Sequence, residues 1–277
     1  MKTVKLIFSL SLALLYSAVI FAEPVGILTM KTGTLKLRRN NIDTIYSDPG
    51  VRIPVENRDE VQTGSGTRAK IQMASKGDLV ELFPNTFMMV DNVTSEETHL
   101  SMLAGKGQFE IKKPGKLARR TKARFRLRTV NAVIGVKGTK IVVGVMNRRT
   151  DMMTLSGIAS IASRLTPDIE IEVKSDQVST IPGNRQPFRP VTVTPEMRQR
   201  IIDSDSAESF EQVPFVDEPK KSEAGQKQKN RTGADAEVGQ TIEALIEQVN
   251  SYVEQAQEDI DDTQTNKHSI EFTIIDQ

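Results

Sequence analysis

From Val25 to Ile181 apolar and polar residues alternate one by one, in short runs separated by Gly, Asn, Asp or Pro. A period of two belongs to a pleated strand that buries one face, and it leaves little room for other structure. Leu35 and Leu37 face one way, Lys36 and Arg38 the other. Ala69, Ile71 and Met73 alternate with Arg68, Lys70 and Gln72, and Ile169, Ile171 and Val173 with Glu170, Glu172 and Lys174. Phe125, Leu127 and Thr129 alternate with Arg124, Arg126 and Arg128. The expectation is an all-β domain over residues 23–182 of roughly ten or more short strands, for which a sandwich, a barrel or a stacked solenoid would each bury one face per strand. With no cysteine in the chain, disulfides and thiolate chemistry are excluded and the core holds by packing alone.

The flanks differ in character. Lys2 and Lys5 precede an apolar stretch from Leu6 to Phe21, which reaches Ala22 just before Glu23 and Pro24. This is the layout of a signal peptide over residues 1–22, cut after Ala22. An uncleaved anchor is the alternative, although the stretch barely spans a hydrocarbon core of about 30 Å. Cleavage implies a periplasmic or secreted protein with no transmembrane span. Residues 183–236 read as a Pro-rich and then disordered linker. Within it a short helix starts at a Thr194 cap, with Pro195 first, and runs through Met197 and Ile201. Residues 204–236 hold too few apolar anchors to repay chain entropy. Over 237–277, Val238, Ile242, Leu245, Val249, Tyr252, Val253, Ala256 and Ile260 recur at helical spacing, and Ile270, Phe272 and Ile274 alternate as in a terminal strand.

A net charge of +1 hides two opposed blocks. Between Gly105 and Arg149 there are 14 Lys and Arg against one acid, Glu110; from Asp203 to Gln277 there are 18 acids against 6 bases. In the first block Arg119, Arg120 and Lys122 lead into Arg124, Arg126 and Arg128, which project from one strand face at intervals of about 6.5–7 Å. Such a stripe is either a solvated strand face or an anion-binding face. Its ligand would then be a phosphate-bearing envelope lipid, an acidic protein partner, or the chain's own acidic tail folded back as a mask. Export argues against nucleic acid. No catalytic group, metal or cofactor is expected. His99 and His268 fall in segments that read as loops, with no second ligand at metal spacing. There is no Gly-x-Ser-x-Gly elbow. The run from Gly135 to Lys140 lacks the spacing and following helix of a phosphate loop. Asp259, Asp261 and Asp262 with Glu258 lack the glycine turn of a calcium loop.

Five blocks give the β region a family likeness. They are Asp59 to Ile71 with Thr63 and Gly64; Gly77 to Leu82 leading to Pro84, Asn85 and Thr86; Leu103, Ala104 and Gly105 before Phe109; Phe125 to Ala132 with Thr129, followed by Gly135, Val136, Lys137, Gly138 and Thr139; and Met153 to Ile161 with Gly157. In this order they resemble the FecR domain, the periplasmic part of ferric-citrate signalling regulators. Val130 stands where that family usually has proline, and Lys137 where it has arginine. The resemblance implies a β-solenoid-like or sandwich-like roll in which Thr63, Gly64, Gly77, Thr129, Gly135, Gly138, Thr139 and Gly157 are structural. The glycines fall between strands, where a turn admits positive φ, and the Thr139 hydroxyl is placed to bond its turn's backbone.

The family's regulators carry a cytoplasmic anti-sigma segment ahead of their membrane helix, and here five residues precede the apolar run. The functional expectation is therefore a non-enzymatic periplasmic module that binds and relays through an envelope protein or an anionic envelope component. The alternative is an envelope-structural protein that binds peptidoglycan glycan or anionic lipid headgroups.

Overall fold

The computed structural model describes residues 23–74, 77–113 and 125–215. The apolar N-terminus, the basic lead-in over residues 119–124, and the helix and strand expected over 237–277 lie outside these residues. Among the described residues no helix is long and apolar enough to cross a membrane.

Seventeen strands build two layers that share one strand. Sheet A runs β4 (Arg52–Val55), β1 (Gly26–Thr32), β6 (Arg68–Met73), β7 (Leu79–Leu82), β9 (Thr98–Glu110), β12 (Lys140–Met146), β13 (Arg149–Ser156), β16 (Gln177–Pro182), β17 (Val191–Thr192). Sheet B runs β3 (Ile42–Tyr46), β2 (Leu35–Arg39), β5 (Glu60–Thr63), β8 (Phe87–Val93), β9 again, β10 (Phe125–Arg128), β11 (Ala132–Val136), β14 (Ile158–Ser163), β15 (Thr166–Lys174). Every pairing is antiparallel except that of β9 with β10. Ala104 still pairs with Phe87 of β8, whereas Gly105 already pairs with Val145 of β12, so β9 changes sheet between two consecutive residues.

Beyond β9 the chain lays hairpins alternately on the two layers: β10–β11 on B, β12–β13 on A, β14–β15 on B, β16–β17 on A. The layers are those of a sandwich and the stepwise advance is that of a solenoid, so both forms expected from sequence meet in one fold. Two-residue turns with positive φ close β2–β3 at Asn40 and Asn41, and β12–β13 at Asn147 and Arg148. Such turns carry the twist that antiparallel strands need. The apolar side chains of the alternation fill the space between the layers in one cluster, with Leu28, Ile71 and Ile141 from A against Leu35, Leu100 and Ile134 from B. The rings of Phe109 and Phe125 meet edge-on across it, with centroids 6.0 Å apart.

Where the chain crosses between layers the ladder hydrogen bonds are interrupted, and buried threonines replace them. The Thr67 hydroxyl accepts from Thr34 N and donates to Thr34 O; Thr86 does the same for Lys106; Thr63 accepts from Thr86 N and donates to Phe83 O. A hydroxyl both donates and accepts, so one side chain satisfies two backbone groups that burial would otherwise leave costly.

The outer face of sheet A is covered over β12, β13 and β16. The helix α1 (Pro195–Asp203) starts at the Thr194 cap, whose hydroxyl accepts from Met197 N at 3.3 Å, as the sequence predicts. A 3-10 turn follows at Ala207–Phe210. Ile201, Phe210 and Val213 from this segment pack on Val142, Met153 and Val178 in a second apolar cluster. Residues 204–215 thus depart from the disorder expected of 204–236; two well-spaced anchors, Phe210 and Val213, dock a stretch whose average composition is polar. Residues 216–236 lie outside the described residues.

Candidate functional site

Around β10 and β11 the outer face of sheet B is partly open. Phe125 and Leu127 of β10 point into the core, so Arg126 and Arg128 point out, Arg126 half-buried and Arg128 exposed. In register, Arg126 lies between His99 of β9 and Gly135 of β11, and Arg128 between Ser101 and Val133. Gly135 has no side chain to occupy the surface beside Arg126, and the next residue in that row is Ser160 of β14. Neither arginine pairs with a carboxylate among the described residues. The acids nearest across β9 are engaged elsewhere: Glu97 with His99 Nε2 at 3.0 Å, and Asp91 with the Ser101 hydroxyl at 2.7 Å. Arg119, Arg120, Lys122 and Arg124 lie outside the described residues.

Three sequence expectations need correction here. Gly105 does not fall between strands but inside β9. Gly135 does not sit between strands but inside β11, because it is paired on both sides, with Arg126 and with Ser160. His99 belongs to β9 and not to a loop; its polar neighbours Thr94 to Thr98 mask a strand whose inner face is Leu100 and Met102. No group of three His, Cys, Asp or Glu among the described residues is arranged to hold a metal.

The other motif residues act on the backbone. Gly77, Gly138 and Gly157 hold φ of +64°, +68° and +88°. At Gly138 an added Cβ would stand 2.5 Å from Lys113 Cγ and 2.9 Å from its Cα. Thr139 donates to Ile158 O at 2.8 Å, tying the turn after β11 to the start of β14. Gly64 N donates to Thr34 O at 2.9 Å. Thr129 shares a 2.7 Å hydroxyl contact with Thr150, which donates to Asn131 Oδ1 at 2.6 Å, and Asn131 Nδ2 reaches the carbonyls of Arg148, Ile181 and Gly183. Asp59, wholly buried, takes a two-point contact from Arg39 and a bond from Glu56 N.

Nothing in the sequence singles out Lys106, because a polar residue at an outward strand position reads as solvated. It is fully buried beneath α1, donates to the carbonyls of Ile201 and Ser204, and lies 4.8 Å from the Phe83 ring centroid. An ammonium at a helix C-terminus meets the negative end of the dipole. Arg68 packs on the same ring at 4.6 Å and pairs with Asp205, so the opening of the acidic block sits on sheet A, the layer opposite the Arg126 face. Desolvation pulls the Lys106 pKa down from 10.5 to about 8, against the attraction of Asp205. The unfolded chain then keeps this proton at pH values where the folded one has released it. Stability from this group is lowest below pH 8 and rises as pH climbs from about 8 toward 10.5, by at most about 3 kcal/mol. Urea midpoints of the protein should therefore hold up between neutral pH and about pH 9.5 better than those of Lys106→Met, which lacks the rise. Parallel pH profiles for the two proteins would show that the ammonium is not under strain.

Among curated proteins none matches this chain. Among solved structures, two crystal structures of a Parabacteroides distasonis protein described as a candidate anti-sigma factor are similar to it, each at 14% identity and a TM-score of 0.42 over 52% of this chain. The match spans 63% and 64% of those two solved chains. The family model described as FecR protein matches residues 59–160, from the buried Asp59 to Ser160 of β14. With the alternation, the five ordered blocks and this match in agreement, the chain carries a FecR domain over residues 59–160.

Proposed function

We propose that this chain is an exported, non-enzymatic FecR-type module of the bacterial envelope, which binds a partner and relays its presence through surface contact, with the outer face of sheet B as the recognition face. The observation that carries the reading is the asymmetry of the two layers. Over β12, β13 and β16 sheet A is closed by residues 195–215, while sheet B presents Arg126 and Arg128 unmatched by any described carboxylate, beside the gap at Gly135. Guanidinium groups in fixed register on a rigid strand favour a carboxylate or phosphate that can accept two bonds from each. An acidic protein surface is the partner chemistry that suits relay.

The test is capture from an envelope extract by the purified protein and by its Arg126→Ala/Arg128→Ala variant. Loss of both arginines should weaken a specific protein contact by about five- to tenfold at low salt, with the difference shrinking as salt is raised. Arg126→Glu/Arg128→Glu should weaken it further. Equal capture by all three proteins would remove the face from the account. Arginine-dependent sedimentation with peptidoglycan or anionic vesicles, without a captured protein, would turn the reading to the envelope-structural alternative.

A further inference from the structure

Among the described residues the two stacked layers leave four free edges, and three of them are blunted. β4 carries Pro54, which removes a donor; β17 is two residues long; β15 has Pro167 as its second residue and presents Asp168, Glu170, Glu172 and Lys174. Prolines, shortness and charge are the usual means of keeping an edge from recruiting another strand. The edge of sheet B formed by β3 has none of these over its five residues, Ile42-Asp43-Thr44-Ile45-Tyr46, save one acid. Asp43 is already neutralised by Arg38 and Lys36 of β2, which hold its carboxyl down at about 2. Ile42 is 68% exposed and Ile45 38%, the former on the core side of the sheet, in line with Tyr46.

We infer that β3 is a self-association edge, at which a second copy of this chain adds its own β3 antiparallel about Thr44 and continues sheet B across a twofold axis. In that register Thr44 faces Thr44 of the other copy, Ile42 faces Tyr46 on the core side, and Asp43 faces Ile45 on the outer side. Threonine pairs and aliphatic–aromatic pairs are favourable cross-strand neighbours. No like charges stand opposite each other. Beyond Ile45 of the second copy lies its Lys36, two strand spacings or about 10 Å from Asp43, within reach of the two side chains. Pairing β3 with β15 instead would set Asp43 against the exposed row Asp168, Glu170 and Glu172. Charge therefore selects the symmetric arrangement, which is also the commonest form of closed assembly.

Sedimentation velocity of the purified protein, taken up to about 1 mM where weak interfaces fill, should show reversible doubling of mass. Thr44→Lys and Thr44→Glu should each be monomeric, since each places like charges in direct opposition. An equimolar mixture of the two should dimerise again, which only a Thr44–Thr44 register allows. Because the chain has no other cysteine, Thr44→Cys reads the same register if the charged variants misfold: mild oxidation should give a covalent dimer. A monomer at every concentration overturns the inference, and protected β3 amides in that monomer would assign the edge to intrachain cover. A dimer indifferent to both charged variants, or one that the mixture fails to restore, overturns it equally.

Discussion

Gly105→Ala should destabilise the protein by at least about 3 kcal/mol, while Gly66→Ala costs only about 1 kcal/mol, although both glycines have positive φ. The two differ in what a methyl group would meet. At Gly66, φ +73°, nothing lies within 4 Å of an added Cβ. At Gly105, φ +89°, the Cβ would stand 2.5 Å from Asn85 O and from Thr86 Cα, which are backbone atoms with no rotamer to give way. These contacts exist because β9 bends there from one layer to the other, pressed against the turn whose Thr86 hydroxyl holds both backbone groups of Lys106. Relieving the clash would move the strand that joins the sheets, so the loss should appear as a lower midpoint in urea and a lower thermal transition of the whole domain. Equal midpoints for the two variants would show that the crossing does not depend on glycine.

The position of Gly105 shows where sequence reading reaches and where it stops. Period-two alternation identifies strands and their inward residues because the pleat itself imposes it, and Leu35, Ile71, Phe125 and Leu127 are buried as it requires. Alternation does not say which layer a strand joins, since that depends on pairings between distant segments. Gly105 and Gly135 read as turn residues for this reason, whereas one is a bend within a continuous strand and the other a bare position within a paired one. The Arg126 and Arg128 spacing was legible, being local. Their neighbours His99 and Ser101 were not, because they come from the single parallel pairing. Lys106 is a sharper case: its burial is produced by α1, some 90 residues further on, and no property of the Gly105-Lys106-Gly107 triplet signals it. At Ile169 the pattern predicts an inward side chain, yet the residue is 45% exposed, since β15 forms the end of its sheet.

Asn131→Asp should be the most damaging of the conservative changes, and more damaging than Asn131→Leu, which alters shape and polarity together. The two N–H groups of the Asn131 amide are shared among the carbonyls of Arg148, Ile181 and Gly183 at 2.7–2.8 Å, while its oxygen accepts from Thr150. The residue thereby fastens the β10–β11 turn of sheet B to the β12–β13 turn and the end of β16 in sheet A. Leucine removes the donors and leaves three carbonyls to find other partners, a loss on the order of 2–3 kcal/mol. Aspartate keeps the size and the Thr150 bond but sets a charged oxygen against three carbonyl oxygens in a site only 7% exposed, which should exceed about 4 kcal/mol. Protonation would relieve that repulsion, so the carboxyl in the folded variant should bind its proton well above the ordinary carboxylate range. The folded pKa being raised, the unfolded chain loses the proton first as pH rises. The penalty of Asn131→Asp relative to the natural residue should therefore be small in mild acid and grow toward neutrality. Urea denaturation of both variants at about pH 4.5 and pH 7.5 measures this directly. A penalty independent of pH, or smaller than that of Asn131→Leu at neutrality, would mean that the amide donors are not what joins the two layers at this end of the fold.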